Sequence, residues 1–404
     1  QFTTMPAVSR KLRLELEERL KGLTIEANNS PFNEIEWNDK SIGIIASGVA
    51  YQYAKEVFGE EASYLSIGFS YPIPMDLIKE FAAKVDTLYV IEEVEPFLEE
   101  EIRAAGISCH GKDLLPGIGE LSPRIIEEAI KGVKKELLPV QPDKLTNRPP
   151  VLCPGCAHRA VFYELGKRKD IFIAGDIGCY GLGALPPLNA MDTCICMGAS
   201  VSAGHGAAKA FKEYGTDKHV VSVIGDSTFF HSGITSLLNV VYNKSKTITV
   251  ILDNRITGMT GHQDHPGTGY TAQGEETLEA DIEMIVKSLG INHVKTVNPL
   301  RLKELHEAID SAIENPEPSV IIARWPCALK KLSVKDKAEF EMRVKSYIVE
   351  REKCIGCKKC IRTGCPALRF DKVNKKAMID PIMCNGCSLC EQVCPADAII
   401  LEQK

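Results

Sequence analysis

Apolar residues fall in short unbroken runs along most of this chain, each bounded by polar or glycine-rich stretches. SIGIIAS (41–47), ASYLSIG (62–68) and TLYVIEEV (87–94) read as buried parallel strands with helical periodicity between them. A helix is predicted over 122–137, opened by Ser122-Pro123 as cap and first turn. LPVQPDKLTNRPP (138–150) is a proline-rich polar stretch of inter-domain type. The alternation then resumes. IFIAGDI (171–177), HVVSVIGD (219–226), TITVILDN (247–254) and SVIIARW (319–325) are predicted strands, separated by helical SAGHGAAKAFKEY (202–214) and ITSLLNVVYN (234–243). Strand–helix alternation on this scale predicts α/β domains with parallel sheets covered on both faces. The predicted organisation is an extended segment over 1–36, an α/β domain over 37–138 and a linker over 139–150. A second α/β domain follows over 151–329, then a charged tether over 330–346 and a small cysteine-rich module over 347–404.

That module holds the one internal repeat, with a period of 30 residues: YIVEREKC aligns with AMIDPIMC, and ALRF with AIIL. Each copy carries four cysteines and a proline: Cys354, Cys357, Cys360, Cys365-Pro366, and Cys384, Cys387, Cys390, Cys394-Pro395. The spacing is the C-x2-C-x2-C-x3-C-P run of bacterial two-cluster ferredoxins, with one extra residue in the first copy. Three closely spaced thiolates wrap one face of an iron–sulfur cube, and the fourth reaches the neighbouring cube. Two [4Fe-4S] clusters with crossed ligation are therefore predicted: Cys354, Cys357, Cys360 and Cys394 on one, Cys384, Cys387, Cys390 and Cys365 on the other. A structural zinc site or a disulfide framework is the alternative reading of the same cysteines.

Composition narrows the setting. At 404 residues there is room for two or three domains, and 44% hydrophobic residues is ordinary for a globular protein. A net charge of −6 argues against nucleic acid as partner, and no apolar run is long enough for a membrane span. Fifteen cysteines, many at cluster spacing, call for a reducing, cytoplasmic compartment. The module itself has ten Lys or Arg against six Asp or Glu between Arg351 and Lys404. Lys353, Lys358, Lys359 and Arg362 either offset the clusters' charge or offer a docking face to an acidic ferredoxin.

The candidate chemistry of the second α/β domain lies at its strand ends, where ligands of open parallel sheets bind. One strand ends in Gly225-Asp226-Ser227 and the next core strand in Asp253-Asn254. A carboxylate, an amide oxygen and a loop carbonyl make a hard-oxygen site for Mg²⁺ that also holds a diphosphate. A helix beginning near Gly233 is expected to point its N-terminus there. Cys153-Pro154-Gly155-Cys156 opens the same domain, Cys179 follows one strand and Cys327 another. The C-x-x-C alone fits a redox dithiol, a zinc half-site or a cluster half-site; Cys194 and Cys196 are a rival pair, and Cys109 reads as an ordinary thiol.

The strand-end pattern resembles the thiamine diphosphate motif, Gly-Asp-Gly followed one strand later by Asn-Asn, with Ser227 and Asp253 as the departures. The resemblance implies that the side chains of Asp226 and Asn254 and the carbonyl of Ile256 bind Mg²⁺. It also implies that Gly225, Ser227, Thr260 and the Met197-Gly198-Ala199-Ser200 helix start lie against the cofactor. With CPGCAHR (153–159), GDSTFFHSGI (225–234), GMTGHQDHPGTG (258–269) and the cluster run, the chain resembles the 2-oxoacid:ferredoxin oxidoreductases, most closely the indolepyruvate-type large (alpha) subunits. That likeness implies a transketolase-C-like domain, a thiamine-diphosphate domain and a small α+β two-[4Fe-4S] ferredoxin module, in that order. It implies a third [4Fe-4S] cluster on Cys153, Cys156, Cys179 and Cys327. The implied reaction is oxidative decarboxylation of indolepyruvate and related aryl 2-oxo acids with coenzyme A, giving aryl-acyl-CoA, CO₂ and reduced ferredoxin.

Implied partners are a smaller beta (gamma-type) subunit in a hetero-oligomer and an external ferredoxin. His231 and His262 are the expected proton-moving residues, ahead of His265; Gln263 is a further contact candidate. Only about 36 residues precede the first strand, too few for the pyrimidine-binding domain whose glutamate activates thiamine. With the start at Gln1, the expectation is that this domain lies elsewhere and that the chain alone binds thiamine diphosphate weakly. The competing readings are an enzyme of the same architecture acting on pyruvate, branched-chain 2-oxo acids or phenylglyoxylate, and a non-catalytic electron-transfer subunit.

Overall fold

The structure, a computed structural model, describes residues 3–134, 145, 148–340 and 345–402. Two compact units divide the chain, Gln1–Thr146 and Asn147–Lys404, so the cysteine-rich module belongs with the second α/β domain.

The first unit opens on a helix, Pro6–Asn28, where an extended segment was expected. Its apolar residues Val8, Leu12, Leu16, Leu20 and Leu23 recur at helical spacing but stay partly or largely exposed, and only Ala27 is buried. Strong helix formers, Pro6 in the first turn and i,i+4 pairs such as Arg13–Glu17 hold it instead. The four-stranded sheet comprises β1 (Asn33–Glu36), β2 (Ile42–Ala46), β3 (Ser63–Ile67) and β4 (Thr87–Ile91), in the order β1-β3-β2-β4. Only β1 runs antiparallel to its neighbour, and it begins before residue 37. Alternate side chains feed two cores: Ile44, Tyr64 and Phe58 on one face, Ile45, Leu65 and Phe81 on the other. The helix predicted over 122–137 runs Pro123–Lys131, capped by the Ser122 hydroxyl; Gly132 in the left-handed region ends it early. Most of the 139–150 linker lies outside the described residues.

The second unit contains six parallel strands: β5 (Ile171–Gly175), β6 (Thr193–Cys194), β7 (His219–Gly225), β8 (Ile248–Asp253), β9 (His293–Val297) and β10 (Ser319–Arg324). Their order is β6-β5-β7-β8-β10-β9. β7 and β8 are hydrogen-bonded neighbours, so their carboxyl ends, and with them Asp226 and Asn254, stand side by side. Val250 and Leu252 pack into one core and Ile251 into the opposite one, as a sheet covered on both faces requires.

Two predicted details differ. Helical structure after β7 begins at Asp226, not near Gly233: Asp226–Thr228 leads through a π-helical turn, Phe229–Gly233, into the helix Ile234–Tyr242. The 330–346 tether is not merely solvated. Ser333 caps a helix, Val334–Glu339, through a reciprocal capping box with Asp336, which is buried and also binds Lys330 Nζ at 2.7 Å. Phe340 then packs edge-on against Trp325; residues 341–344 lie outside the described set.

In the module, β11 (Tyr347–Val349) pairs antiparallel with β14 (Ile399–Leu401), and β12 (Leu368–Asp371) with β13 (Lys376–Ile379). Each pair joins one strand from either copy of the repeat, so the two halves interlock. Among the described residues no helix is long and apolar enough to cross a membrane.

Candidate functional site

Two buried carboxylates, Asp176 and Asp226, and the half-buried amide of Asn254 mark the carboxyl ends of β5, β7 and β8. Asp226 accepts from the backbone N–H of Ser227 (2.8 Å) through Oδ1, and from Asn254 (3.1 Å) and Arg255 (2.8 Å) through Oδ2. It thus ties its own turn to the loop after β8. Asn254 Oδ1 accepts from Ile256 N at 3.1 Å. Asp176, after β5, accepts from Gly198 N (2.8 Å) and Ser200 N (3.3 Å), fixing the turn that starts the helix Ser200–Tyr214. Gly198 has φ +89°, and any Cβ there would collide with Ser232 Oγ. At Gly225 a Cβ would stand 2.7 Å from the Tyr180 ring.

Asp226, Asn254, Ile256, Ser227, Met197 and Thr260 line one cleft, with Gly225 in its wall. A carboxylate, an amide oxygen and a neighbouring backbone carbonyl in that cleft fit the donor chemistry of Mg²⁺. Asp176 and Tyr180 were missed at the sequence level, although IAGDI repeats the Gly-Asp strand end of VIGDS.

Asp253 faces the other way. It lines a separate cavity with Arg255 and Glu279 and accepts from Arg324 Nε at 2.6 Å. Burial and the Asp226 carboxylate push its pKa up, while Arg324 and Arg255 pull it down. Its role is an ion pair under the loop, which accounts for an aspartate at a position outside the cleft. Arg324→Met is expected to destabilise the fold by ~3 kcal/mol, the low end for breaking a buried pair, because Arg324 keeps some solvent access. A thermal melt of the assembled protein checks this, with Asp253→Asn/Arg324→Met recovering much of the loss.

A second cavity adjoins the first. Cys153, Cys156, Cys179 and Cys327 all line it, together with His158 and His262. Burial pushes all four thiols up, and Cys179 and Cys327 are raised further by the other cysteines of the set. Four sulfurs so placed are costly to hold as thiolates unless a cation shares the space, which a cluster supplies. No three His, Cys, Asp or Glu among the described residues converge on a single ion; an iron–sulfur cube is wider than one ion and needs wider-set sulfurs. Cys194 and Cys196 are exposed, apart from this cavity, and Cys109 is buried in the first unit.

His158 lines both cavities, is buried, and neither ring nitrogen has a protein partner. Burial lowers its pKa to about 4, so the ring is neutral. The histidines named from sequence separate differently from expectation. His265 is buried with Nε2 3.0 Å from Asp226 Oδ2 and is the one held against the motif carboxylate. His262 is exposed at the mouth of the cysteine cavity, Nε2 3.9 Å from Cys327 Sγ. His231 is exposed and lines neither cavity. It sits in the π-helical turn rather than a loop, two residues after core-facing Phe229, and helical geometry sends such a position outward. Gln263 pairs with Thr260.

In the module, Cys354, Cys357, Cys360 and Cys394 line one cavity. Burial raises Cys360 to about 11, and its cysteine neighbours in that field are Cys394, Cys357 and Cys354. Burial also raises Cys387 to about 11, with Cys365 and Cys384 as its neighbours, and the same pair acts on Cys390. The eight sulfurs therefore group across the repeat, each set taking one cysteine from the other copy.

Comparison with known proteins places two of these regions. Residues 176–323 match the thiamine pyrophosphate enzyme C-terminal TPP-binding domain family, and residues 353–398 the 4Fe-4S dicluster domain family. The chain is 39% identical to indolepyruvate oxidoreductase subunit IorA of Methanothermobacter marburgensis, over 100% of this chain and 67% of that protein. With the subunit of the same name from Thermococcus kodakarensis it shares 38%, over 98% of this chain and 66% of that one. The chain thus spans about two thirds of the length of these relatives. Among solved structures, the 2-oxoglutarate:ferredoxin oxidoreductase from Magnetococcus marinus aligns at a TM-score of 0.41 and 19% identity, covering 49% of this chain and 72% of that one.

Proposed function

We infer, since the chain belongs to the indolepyruvate oxidoreductase subunit IorA family, that it is the thiamine-binding, iron–sulfur subunit of an enzyme that oxidatively decarboxylates aryl 2-oxo acids. Indolepyruvate and related arylpyruvates are the proposed substrates, coenzyme A the acyl acceptor and ferredoxin the electron acceptor. Thiamine diphosphate supplies the electron sink for the carbon that loses CO₂. The side chains of Asp226 and Asn254 and the carbonyl of Ile256 are proposed to hold its Mg²⁺, with Asp176 fixing the Gly198 turn against the diphosphate. His265 orients Asp226. His262 is the histidine proposed to move a proton at the mouth of the cysteine cavity.

The observation that carries this reading is a shared wall. His158, Cys179, Asn254 and Gly258 line both the cleft at the thiamine motif and the four-cysteine cavity. A third cluster on Cys153, Cys156, Cys179 and Cys327 would then adjoin the reacting carbon, and clusters accept electrons singly. The exposed Cys357, flanked by Lys353, Lys358 and Lys359, marks the proposed exit toward an acidic ferredoxin. A smaller partner subunit completes the proposed enzyme.

Rates on the complete complex test this. With coenzyme A and ferredoxin, kcat/KM for indolepyruvate is expected to exceed that for pyruvate by at least ~100-fold, the order separating substrates that differ by a large apolar group. Equal rates, or a preference for pyruvate, would place the enzyme elsewhere among the 2-oxoacid oxidoreductases.

A further inference from the structure

Arg159 is a cation in an improbable place. It lies three residues after the C-x-x-C, is 2% exposed, and among the described residues forms no ion pair with any carboxylate. Its guanidinium donates only to carbonyls: Nη1 to Thr363 (3.0 Å), Nη2 to Cys153 (3.1 Å) and to Leu152. Nε has no partner. Neutral acceptors do not repay the desolvation of a full charge, so such a group calls for a negative charge close by.

The surroundings say where that charge sits. Cys153, whose carbonyl Arg159 binds, belongs to the four-cysteine cavity. Thr363, another of its three acceptors, lies in the short turn between Cys360 and Cys365, and a Cβ on Gly364 would stand 3.2 Å from Arg159 Nη1. On the same side Asn385 Nδ2 donates to Pro154 O at 3.1 Å, and Gly155 has no room for a side chain against Asn385. Cys156 and Cys387 pack against one common core. Arg159 thus contacts backbone beside both sets, Cys153 O on one side and Thr363 O on the other. It therefore stands between two sulfur sets, one in each domain, while Cys357 of the remaining set is exposed.

We propose that Arg159 is the shared counter-cation of the four-cysteine site and of the module's Cys365/Cys384/Cys387/Cys390 cluster, holding both at a more positive reduction potential and making the latter the entry of electrons into the module. This rests on the reading of three clusters given above. Reduction adds one negative charge to a cluster, and a fixed cation at short range in a water-poor interface favours that charge. Each transfer moves one electron: the cluster at the four-cysteine site is oxidised and the near module cluster reduced. The far cluster, on Cys354, Cys357, Cys360 and Cys394, hands it on from the surface. Arg159 is thus a positioning and potential-setting residue.

The test is an anaerobic redox titration of the iron-loaded complex, following each cluster by its EPR signal. Arg159→Gln removes the charge but keeps donors; Arg159→Lys keeps the charge but loses the fork. The glutamine variant is expected to lower the midpoints of the four-cysteine and near clusters by ~59 mV or more, tenfold in a one-electron equilibrium, with the far cluster moving least. The lysine variant is expected to stay within half that shift. Arg159→Met, whose apolar chain fills the same space, takes over if the glutamine variant does not assemble. Unmoved midpoints, equal falls in all three clusters, or a lysine variant as low as glutamine would overturn the proposal. Iron near eight per chain in the unmodified protein, instead of about twelve, would overturn the three-cluster reading itself.

Discussion

Replacing Asp226 by alanine is expected to reduce thiamine diphosphate affinity at least ~100-fold, equivalent to ~2.7 kcal/mol, and to destabilise the fold as well. Both effects follow from how one carboxylate is used. Asp226 closes β7, yet two of its three backbone donors, Asn254 and Arg255, belong to the loop after β8, and His265 comes from further along that loop. Alanine leaves these donors buried without an acceptor, at ~1–3 kcal/mol each where no water replaces it. The loop that presents Asn254 and Ile256 then loses its anchor, so affinity falls even for contacts that Asp226 does not make. Asp226→Asn separates the two effects. Its one oxygen can still serve Asn254 and Arg255 while its amide NH₂ loses Ser227, so it should melt above the alanine variant, but it removes the charge proposed to face Mg²⁺ and His265. Thiamine retained after gel filtration of the iron-loaded complex, beside a thermal melt, reads both. An asparagine variant that retains a full complement of thiamine would remove Asp226 from the metal site.

The sequence disclosed this geometry in part, and the divide has physical causes. Parallel strands buried on both faces announce themselves as apolar runs, and β7 and β8 happen to be both consecutive in sequence and adjacent in the sheet. Asp226 and Asn254 could therefore be paired from sequence. β9, HVKTV, alternates at the sheet edge and offers no such run. The helix Pro6–Asn28 does carry apolar residues at i,i+4 spacing, Val8, Leu12, Leu16 and Leu20, but the dense charge between them masks the pattern and only Ala27 is buried. Among three histidines in 231–265, choosing the one on Asp226 requires the fold of the 255–268 loop. There, Gly267 donates to His265 Nδ1 at 3.1 Å and leaves no space for a Cβ beside Phe230. Arg159 is legible only in three dimensions, since Thr363 lies 204 positions away along the chain.

Stripping iron anaerobically from the assembled protein is expected to unfold the module while leaving the six-stranded sheet intact. The module's core is Tyr347, Leu368, Ala377, Ala398 and Ile399 supplemented by cysteines, so much of what fills its interior is sulfur meant for metal. Its sheets are two-stranded, and isolated pairs of that size are marginal in water. A domain of ~60 residues buries too little surface to offset the order it imposes, so cluster binding becomes folding free energy. Removing iron also leaves buried thiols crowded together, with only two short strand pairs to hold the halves of the repeat to each other. The neighbouring domain differs: both faces of its sheet are covered by extensive apolar cores drawn mainly from its own strands and helices. Its loss is confined to the seam, where Leu389 plugs its core and Gln392 binds Leu300 O and Leu302 N. Amide hydrogen exchange resolves the two outcomes. Protection in β11–β14 should fall by about a thousandfold, ~4 kcal/mol, while β7 and β8 keep theirs. Strands of the module that stay protected without iron would mean that its apolar residues suffice, and that the cysteines are guests in a fold that stands without them.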